Sequence, residues 1–241
     1  MAIVSQENIL SILTTFNPWW QNGVVPKAFV KEFHRSSYYT CRKSLLSDLR
    51  RIVVMSGARR TGKTTIMYQL IHDLLEQGVK PQNILFFTFD HPLIRMAGMD
   101  QILNIYKNNI SDDAHFYMFV DEVQFDKDWT NYLKMAYDMN PDMRSVATGS
   151  ASAAIEDDVR ESGAGRWTVI KVTTLSFYEY CALKGISKAQ SVDDVFRIHT
   201  LSKQQQTQLM MGLSDLQIHL MRYMQIGGFP ELVKTEDVPY A

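Results

Sequence analysis

The chain has 241 residues, 46% of them hydrophobic, and a formal net charge of −1. That length supports one sizeable α/β domain with a small appendage, not two domains of common size, and no stretch approaches the ~20 apolar residues of a membrane-spanning helix. Cys41 and Cys181 stand far apart without metal-ligand spacing and the histidines form no H-x-x-x-H or Cys/His cluster, so neither a disulfide framework nor a transition-metal site is expected.

The first residues carry no basic n-region and no long apolar core, which together with the cysteine usage predicts a cytoplasmic protein without a membrane partner. A first short helix ends at Phe16, before the turn-rich run Asn17-Pro18-Trp19-Trp20-Gln21-Asn22-Gly23, and a second helix is predicted over 38–50. Strand one is the apolar run Ile52-Val53-Val54-Met55. A helix over 63–76 follows, with Ile66, Leu70, Ile71, Leu74 and Leu75 on one stripe and Gly78 then Pro81 ending it. Strand two is predicted over 84–90, a helix over 99–107, strand three over 115–120, strand four over 144–148 and strand five over 167–172. Strands separated by helices argue for right-handed crossovers and a parallel sheet covered on both faces. From Ser176 the pattern turns helical, and within 209–224 the residues Leu213, Leu216, Leu220 and Met224 fall roughly on one stripe, as in a helical lid.

Between strand one and its helix lies Gly57-Ala58-Arg59-Arg60-Thr61-Gly62-Lys63-Thr64, followed by Thr65, a match to G-x-x-x-x-G-K-[ST] in the required strand–loop–helix order. The glycines let the backbone curl so that its N–H groups point at phosphates, Lys63 reaches the β/γ oxygens, and the Thr64 hydroxyl is offered to Mg²⁺. Strand three runs into Asp121-Glu122. At the carboxyl end of a parallel strand, Asp121 faces Thr64 and can hold Mg²⁺, and Glu122 is placed to polarise a water for attack on the γ-phosphorus. The competing reading makes Glu122 a loop cap.

One strand lies in sequence between the phosphate-loop strand and the acid-bearing strand, which favours the class with another strand inserted spatially between them, as in AAA+ and RecA-like ATPases. Strand four is then the inserted one, and Thr148 and Ser150 at its end are candidate sensors of the terminal phosphate or ordinary N-caps. Arg166, just before strand five, and Arg160 upstream are candidates to reach a neighbouring subunit's γ-phosphate, against a plain surface role for each. Arg222 is a weaker lid-sensor candidate, and Asp90 either supports the metal or makes a turn before Pro92.

Charge is uneven: residues 24–65 hold ten Lys/Arg against Glu32 and Asp48, a balance of +8 that leaves −9 elsewhere. With Phe29, Phe33, His34, Tyr38 and Tyr39 among them, this segment is compatible with nucleic-acid backbone contact and stacking; the alternative is a solvated basic face that also neutralises triphosphate. No N-K-x-D string supports guanine recognition, and no acceptor motif supports a small-molecule kinase.

Taken in order, the phosphate loop, Phe89-Asp90, Val120-Asp121-Glu122-Val123-Gln124, Thr148-Gly149-Ser150, Gly165-Arg166, Leu175-Ser176-Phe177-Tyr178-Glu179-Tyr180 and Gly227-Gly228-Phe229-Pro230-Glu231 resemble the archaeal/bacterial predicted AAA ATPases, a STAND-like group of the AAA+ superfamily. The last two strings are far more specific than the phosphate loop. The resemblance spans about residues 17–233 and implies an ASCE-type P-loop NTPase of the α/β class. Its five-stranded parallel sheet has order 5-1-4-3-2, flanked by helices, with ATP and Mg²⁺ as ligands and a homo-oligomer as candidate assembly. The organisation expected is a helical leader over 1–50, a core over 51–185 and a helical lid over 186–241. Family members usually continue into a domain resembling a restriction-endonuclease fold. This sequence stops at Ala241, so a truncated chain or an unusually short member is expected, without residues for nuclease-like activity. Thr173-Thr174-Leu175 stands where the family tends to have proline before LSF. The leading function is ATP hydrolysis; the rival is an ATP-gated switch with negligible turnover.

Overall fold

The computed structural model describes residues 5–150, 155, 157, 159, 165–186 and 198–234, with backbone alone at 198, 208–215 and 234. The chain divides into two compact units, Met1–Val172 and Thr173–Ala241.

In the first unit, β1 (Ile52–Ser56), β2 (Ile84–Thr88), β3 (Tyr117–Asp121), β4 (Arg144–Gly149) and β5 (Trp167–Lys171) form one sheet in the order β2-β3-β4-β1-β5. All four pairings are parallel. Read from the other edge this is 5-1-4-3-2, the order the resemblance implies. Every residue of β1 and β3 is buried, which is why these strands are nearly continuous apolar runs rather than alternating ones. Register places Ser56 beside Gly149 and Lys171, and Thr88 beside Asp121, so the strands leave the sheet along one rim. In open parallel sheets that rim is where ligands bind.

The same unit contains the helices α1 (Gln6–Phe16), α2 (Trp19–Asn22), α3 (Ser36–Leu45), α4 (Lys63–Glu76), α5 (Pro92–Asn109) and α6 (Trp129–Met139), with 3-10 turns at Pro81–Asn83 and Val123–Phe125. Ile9, Leu13, Trp19, Tyr38, Cys41 and Leu45 bury their side chains in the same hydrophobic cluster as the strands. The second helix is shorter than the expected 38–50: it stops at Leu45, where Ser47 accepts a bond from Leu49 N (3.2 Å) and turns the chain. Helix α5 begins earlier than expected, with Pro92 in its first turn, and is broken at Gly98, whose φ of 73° is open to glycine but not to a helix.

β2 lies at the edge of the sheet, and side chains close its open side. Asn17 Nδ2 donates to Phe86 O (2.8 Å) while Phe86 N donates to Asn17 Oδ1 (2.6 Å), so one carboxamide replaces one residue of a neighbouring strand. Trp19 and Trp20 both donate their indole N–H to Ile84 O (3.0 and 2.8 Å). An edge covered in this way offers no backbone ladder to another chain.

The second unit contains α7 (Phe177–Leu183), α8 (Lys203–Ile226) and α9 (Pro230–Lys234). Ser176 with Glu179, and Ser202 with Gln205, form capping boxes that start α7 and α8. The two specific strings of the sequence meet here. Leu175 N donates to Gly228 O (2.6 Å), Tyr223 Oη donates to Leu175 O (2.7 Å), and a Cβ at Gly228 would lie 2.5 Å from Leu175 O. Tyr223 also packs against Phe177 and Tyr180. That contact sets the rotation of α8, and it corrects the expected stripe: Leu216 is buried, but Leu220 and Met224 are exposed, and the inward line runs Leu216, His219, Tyr223, Ile226. No helix among the described residues is long and apolar enough to cross a membrane.

Candidate nucleotide site

The phosphate loop leaves β1 at Gly57 and enters α4 at Lys63. Gly57 N donates to Gly149 O (3.3 Å), and a Cβ on Gly57 would sit 2.1 Å from Val172 O, so only glycine fits between the exits of β4 and β5. Gly62 holds a left-handed φ of 92° at the N-cap of α4, where no side chain caps the helix and its first turn carries no acid. The leading N–H groups of α4 are left for an anion. Ala58, Arg59 and Arg60 form the exposed outer arc, and Arg60 also has a positive φ of 66°. Thr61 Oγ1 donates to Ala58 O (3.0 Å).

Lys63 is buried and donates to Gly57 O (2.9 Å) and Ala58 O (2.8 Å). Burial lowers its pKa from the usual lysine range; the charges of Glu122 and Asp121 oppose that shift and Arg59 adds to it. Thr64 follows with Oγ1 3.0 Å from Asp121 Oδ2, and Thr65 continues the first turn half-buried. The loop and the acidic pair, 57 positions apart in sequence, therefore converge on one place.

Asp121 is buried, and its other carboxylate oxygen accepts from the Thr148 hydroxyl. Burial raises its pKa above the ordinary carboxylate range, with Glu122 pushing the same way and Thr148, Thr64 and Lys63 pulling it down. Glu122 follows in left-handed backbone, φ 56°, with its N–H donating to Thr148 Oγ1 (3.1 Å). Ser150 Oγ donates to Glu122 Oε2 (3.2 Å), and Gln124 Nε2 donates to the same oxygen. Thr148 and Ser150 thus both reach the acidic pair. On α4, burial and the nearby Asp121 push the Tyr68 hydroxyl up to about 12.

Other residues singled out by the sequence lie elsewhere. Arg166 precedes β5 at the opposite rim of the sheet, its O accepting from Ile52 N (2.7 Å), and its guanidinium pairs with Asp138 (3.0 and 3.3 Å). Arg160 falls outside the described residues. Arg222 is half-buried on α8 of the second unit. Asp90 is exposed in a turn, its N–H bonded to Thr88 Oγ1 (3.2 Å).

Much of the basic segment serves the fold. Arg42 pairs with Asp73 (3.1 Å), Arg50 stacks on Tyr137 at 3.5 Å and donates to two carbonyls, and Lys31 donates to Ala28 O (2.6 Å). Phe29 stacks on Tyr68 with ring centroids 4.7 Å apart. Arg35, one of the ten cations of that segment, is buried and donates to Thr61 O in the phosphate loop (2.7 Å). Gln69 on α4 fastens the same segment through Lys31 O (2.6 Å) and Phe33 O (2.9 Å). Sequence reasoning missed Arg35 and Gln69 as supports of the loop, and no local pattern marks either. Gln124 was also missed as part of the site, although it stands in the acid-bearing string.

Set beside known proteins, residues 49–181 match the family profile described as the AAA domain. The chain belongs to that family. AAA domains are nucleotide-binding ATPases as a class, and this domain takes its place among them. An uncharacterized protein of Haemophilus influenzae is 28% identical over 193 residues, 77% of this chain and 41% of the relative. The uncharacterized protein MJ1637 of Methanocaldococcus jannaschii is 23% identical over 203 residues, 81% of this chain and 41% of the relative. The chain therefore spans about two fifths of the length of the curated relatives it matches. Among solved structures, the S. cerevisiae Hsp104–ADP complex superposes with a TM-score of 0.47 at 15% identity, over 75% of this chain and 26% of that one. The Aeropyrum pernix ORC1 protein in complex with DNA gives a TM-score of 0.49 at 11% identity, over 70% of this chain and 53% of that one.

Proposed function

We propose that this AAA domain binds ATP with Mg²⁺ and hydrolyses it to ADP and phosphate. The observation that carries the reading is the 3.0 Å approach of Thr64 Oγ1 to Asp121 Oδ2 beneath an uncapped helix N-terminus. An alcohol and a carboxylate are hard oxygen donors of the kind Mg²⁺ takes, so Thr64 and Asp121 are the residues that would hold it. When bound, it neutralises charge on the β- and γ-phosphate oxygens.

The remaining work falls to the chain. The N–H groups of the loop from Gly57 to Thr65 cradle the phosphates, and Lys63 exchanges its two loop carbonyls for β/γ oxygens. Its lowered pKa stays compatible with a charged ammonium once polyphosphate is present, because an anion favours the protonated form. Glu122 takes the proton of the attacking water, and Ser150 reports the terminal phosphate to it.

Residues 51–185 are the proposed nucleotide-binding core, after a helical leader over 1–50, and 186–241 the proposed lid. Assembly into a homo-oligomer belongs to the proposal, with Arg166 releasing Asp138 to serve a neighbouring copy's phosphate. A reducing, cytoplasmic setting suits the two free, buried cysteines. Nucleic acid is left out of the proposal because so many cations of 24–65 already answer groups of the fold.

The test is steady-state phosphate release with and without Mg²⁺, alongside direct nucleotide binding, for wild type, Lys63→Ala and Glu122→Gln. Turnover in the wild type, no binding by Lys63→Ala, and binding with only residual turnover by Glu122→Gln are expected. Equal, slow release by wild type and Glu122→Gln with intact binding refutes hydrolysis. ATP-dependent assembly in that case assigns the domain to nucleotide-gated switching.

A further inference from the structure

Glu122 is not left to swing. The single 3-10 turn Val123–Phe125 carries the chain back so that Phe125 N donates to Glu122 O (3.2 Å), and this fold-back lays the Gln124 carboxamide alongside the Glu122 carboxylate. Gln124 Nε2 donates to Glu122 Oε2 and also to Ser150 Oγ (2.8 Å), while Gln124 Oε1 accepts from Ser150 N (3.2 Å). Ser150 Oγ in turn donates to the same Glu122 Oε2 (3.2 Å). One carboxamide thereby joins the carboxylate to the backbone at the exit of β4.

The carboxamide has little room of its own. At Gly149 an added Cβ would meet Gln124 Oε1 at 3.1 Å and Ile155 Cδ1 at 1.7 Å, so the side chain lies pressed over the glycine. Both donors to the carboxylate land on Oε2, and among the described residues none reaches Oε1. An oxygen with free lone pairs beside a fixed partner is what a water acceptor requires.

We propose that Gln124 is a positioning residue for ATP hydrolysis. It fixes Glu122 through Oε2, reserves Oε1 for the attacking water, and transmits the position of the β4 exit to that carboxylate; this rests on the reading of Glu122 as the base. In the step it serves, the water oxygen bonds to the γ-phosphorus as the bond to the β,γ-bridging oxygen breaks. The water proton passes to Glu122 and then to the departing phosphate, leaving ADP.

The experiment compares Gln124→Met, which keeps the length of the side chain and removes both hydrogen-bonding atoms, with wild type, in otherwise native and in Glu122→Gln backgrounds. Phosphate release gives kcat and KM, and fluorescent-nucleotide titration gives affinity. Loosening a catalytic group by about 1 Å lowers turnover roughly ten- to a hundredfold. That loss is expected in kcat, with KM and affinity within about twofold, the scale of an unperturbed site. In the Glu122→Gln background the same substitution is expected to change nothing further, because the group it positions has gone. Gln124→Asn, which keeps a carboxamide but draws it back from Glu122 by one methylene, is expected to lower kcat less, and it supplies the measurement should Gln124→Met not fold. An unchanged kcat in Gln124→Met, or in Gln124→Asn where that is the variant that folds, alongside a strongly impaired Glu122→Gln overturns the positioning role alone. An equal fractional loss in both backgrounds also overturns it, by marking general damage. Equal turnover by wild type and Glu122→Gln overturns the base reading and this inference with it.

Discussion

Asn17 offers the clearest quantitative test of how the first unit is built. Its side chain is fully buried, accepts from Phe86 N (2.6 Å), and donates to Phe86 O (2.8 Å) and Leu13 O (2.7 Å). Truncation to alanine strands the N–H and the carbonyl of Phe86, whereas Leu13 O keeps the backbone bond from Asn17 N (3.0 Å). Two stranded buried groups cost about 1–3 kcal/mol each, and water reaching one of them at the sheet edge brings the total to about 2–4 kcal/mol. Urea unfolding followed by far-UV circular dichroism should show the unfolding free energy fall by that amount, as a lower midpoint at constant m-value. Asn17→Asp separates hydrogen bonding from packing. It retains the acceptor for Phe86 N but sets a carboxylate against two carbonyls, so its folded-state pKa is raised. The loss is then greatest at neutral pH and shrinks as pH falls through that raised pKa, where the protonated acid can donate again. A change below about 0.5 kcal/mol in Asn17→Ala, or an Asn17→Asp stability without that pH dependence, refutes the edge-sealing account.

Gly57→Ala forces a Cβ to within 2.1 Å of the Val172 carbonyl, a backbone atom with no side-chain freedom, so a loss of about 3 kcal/mol by thermal or urea unfolding and loss of nucleotide binding are expected. Arg35→Ala removes the charge-assisted bond to Thr61 O (2.7 Å), normally about 1.5–3 kcal/mol, and should weaken ATP in a fluorescent-nucleotide titration about tenfold or more through a looser loop. Asp121 has a raised carboxyl pKa, so the folded chain holds its proton to higher pH than the unfolded chain does. Its contribution to stability falls as pH rises from the ordinary carboxylate range through the raised value. Asp121→Asn should abolish that slope in the nucleotide-free protein, read as melting temperature against pH, while Mg²⁺-dependent nucleotide binding is lost.

The sheet was legible because β1, β2 and β3 are covered on both faces and so appear as unbroken apolar runs, and because a strand, a phosphate loop and a periodic helix fix one another's ends. The place of β4 between β1 and β3 followed from where the acid-bearing strand falls in sequence, and the full strand order was what the family resemblance implied. The Thr64–Asp121 contact was legible for the same topological reason. The supports were not. Asn17, Arg35 and Gln69 act by reaching backbone carbonyls 26 to 69 positions away, and polar side chains of that kind look the same in sequence whether they meet water or a carbonyl. The rotation of α8 was misjudged because leucine and methionine were weighted above Tyr223, whose ring and hydroxyl both find partners inside the second unit. The break at Gly98 had a visible residue but no visible reason, since a glycine within a helical pattern is tolerated as often as it ends one.

Position 122 combines an acid with a backbone conformation that disfavours it. A left-handed φ costs an ordinary L-residue roughly 1–2 kcal/mol and asparagine less, because its short amide bonds locally. Selection for thermal endurance alone would therefore drift towards asparagine there, and under the role proposed for Glu122 descendants hardened in that way would fold well, grip nucleotide and stand idle.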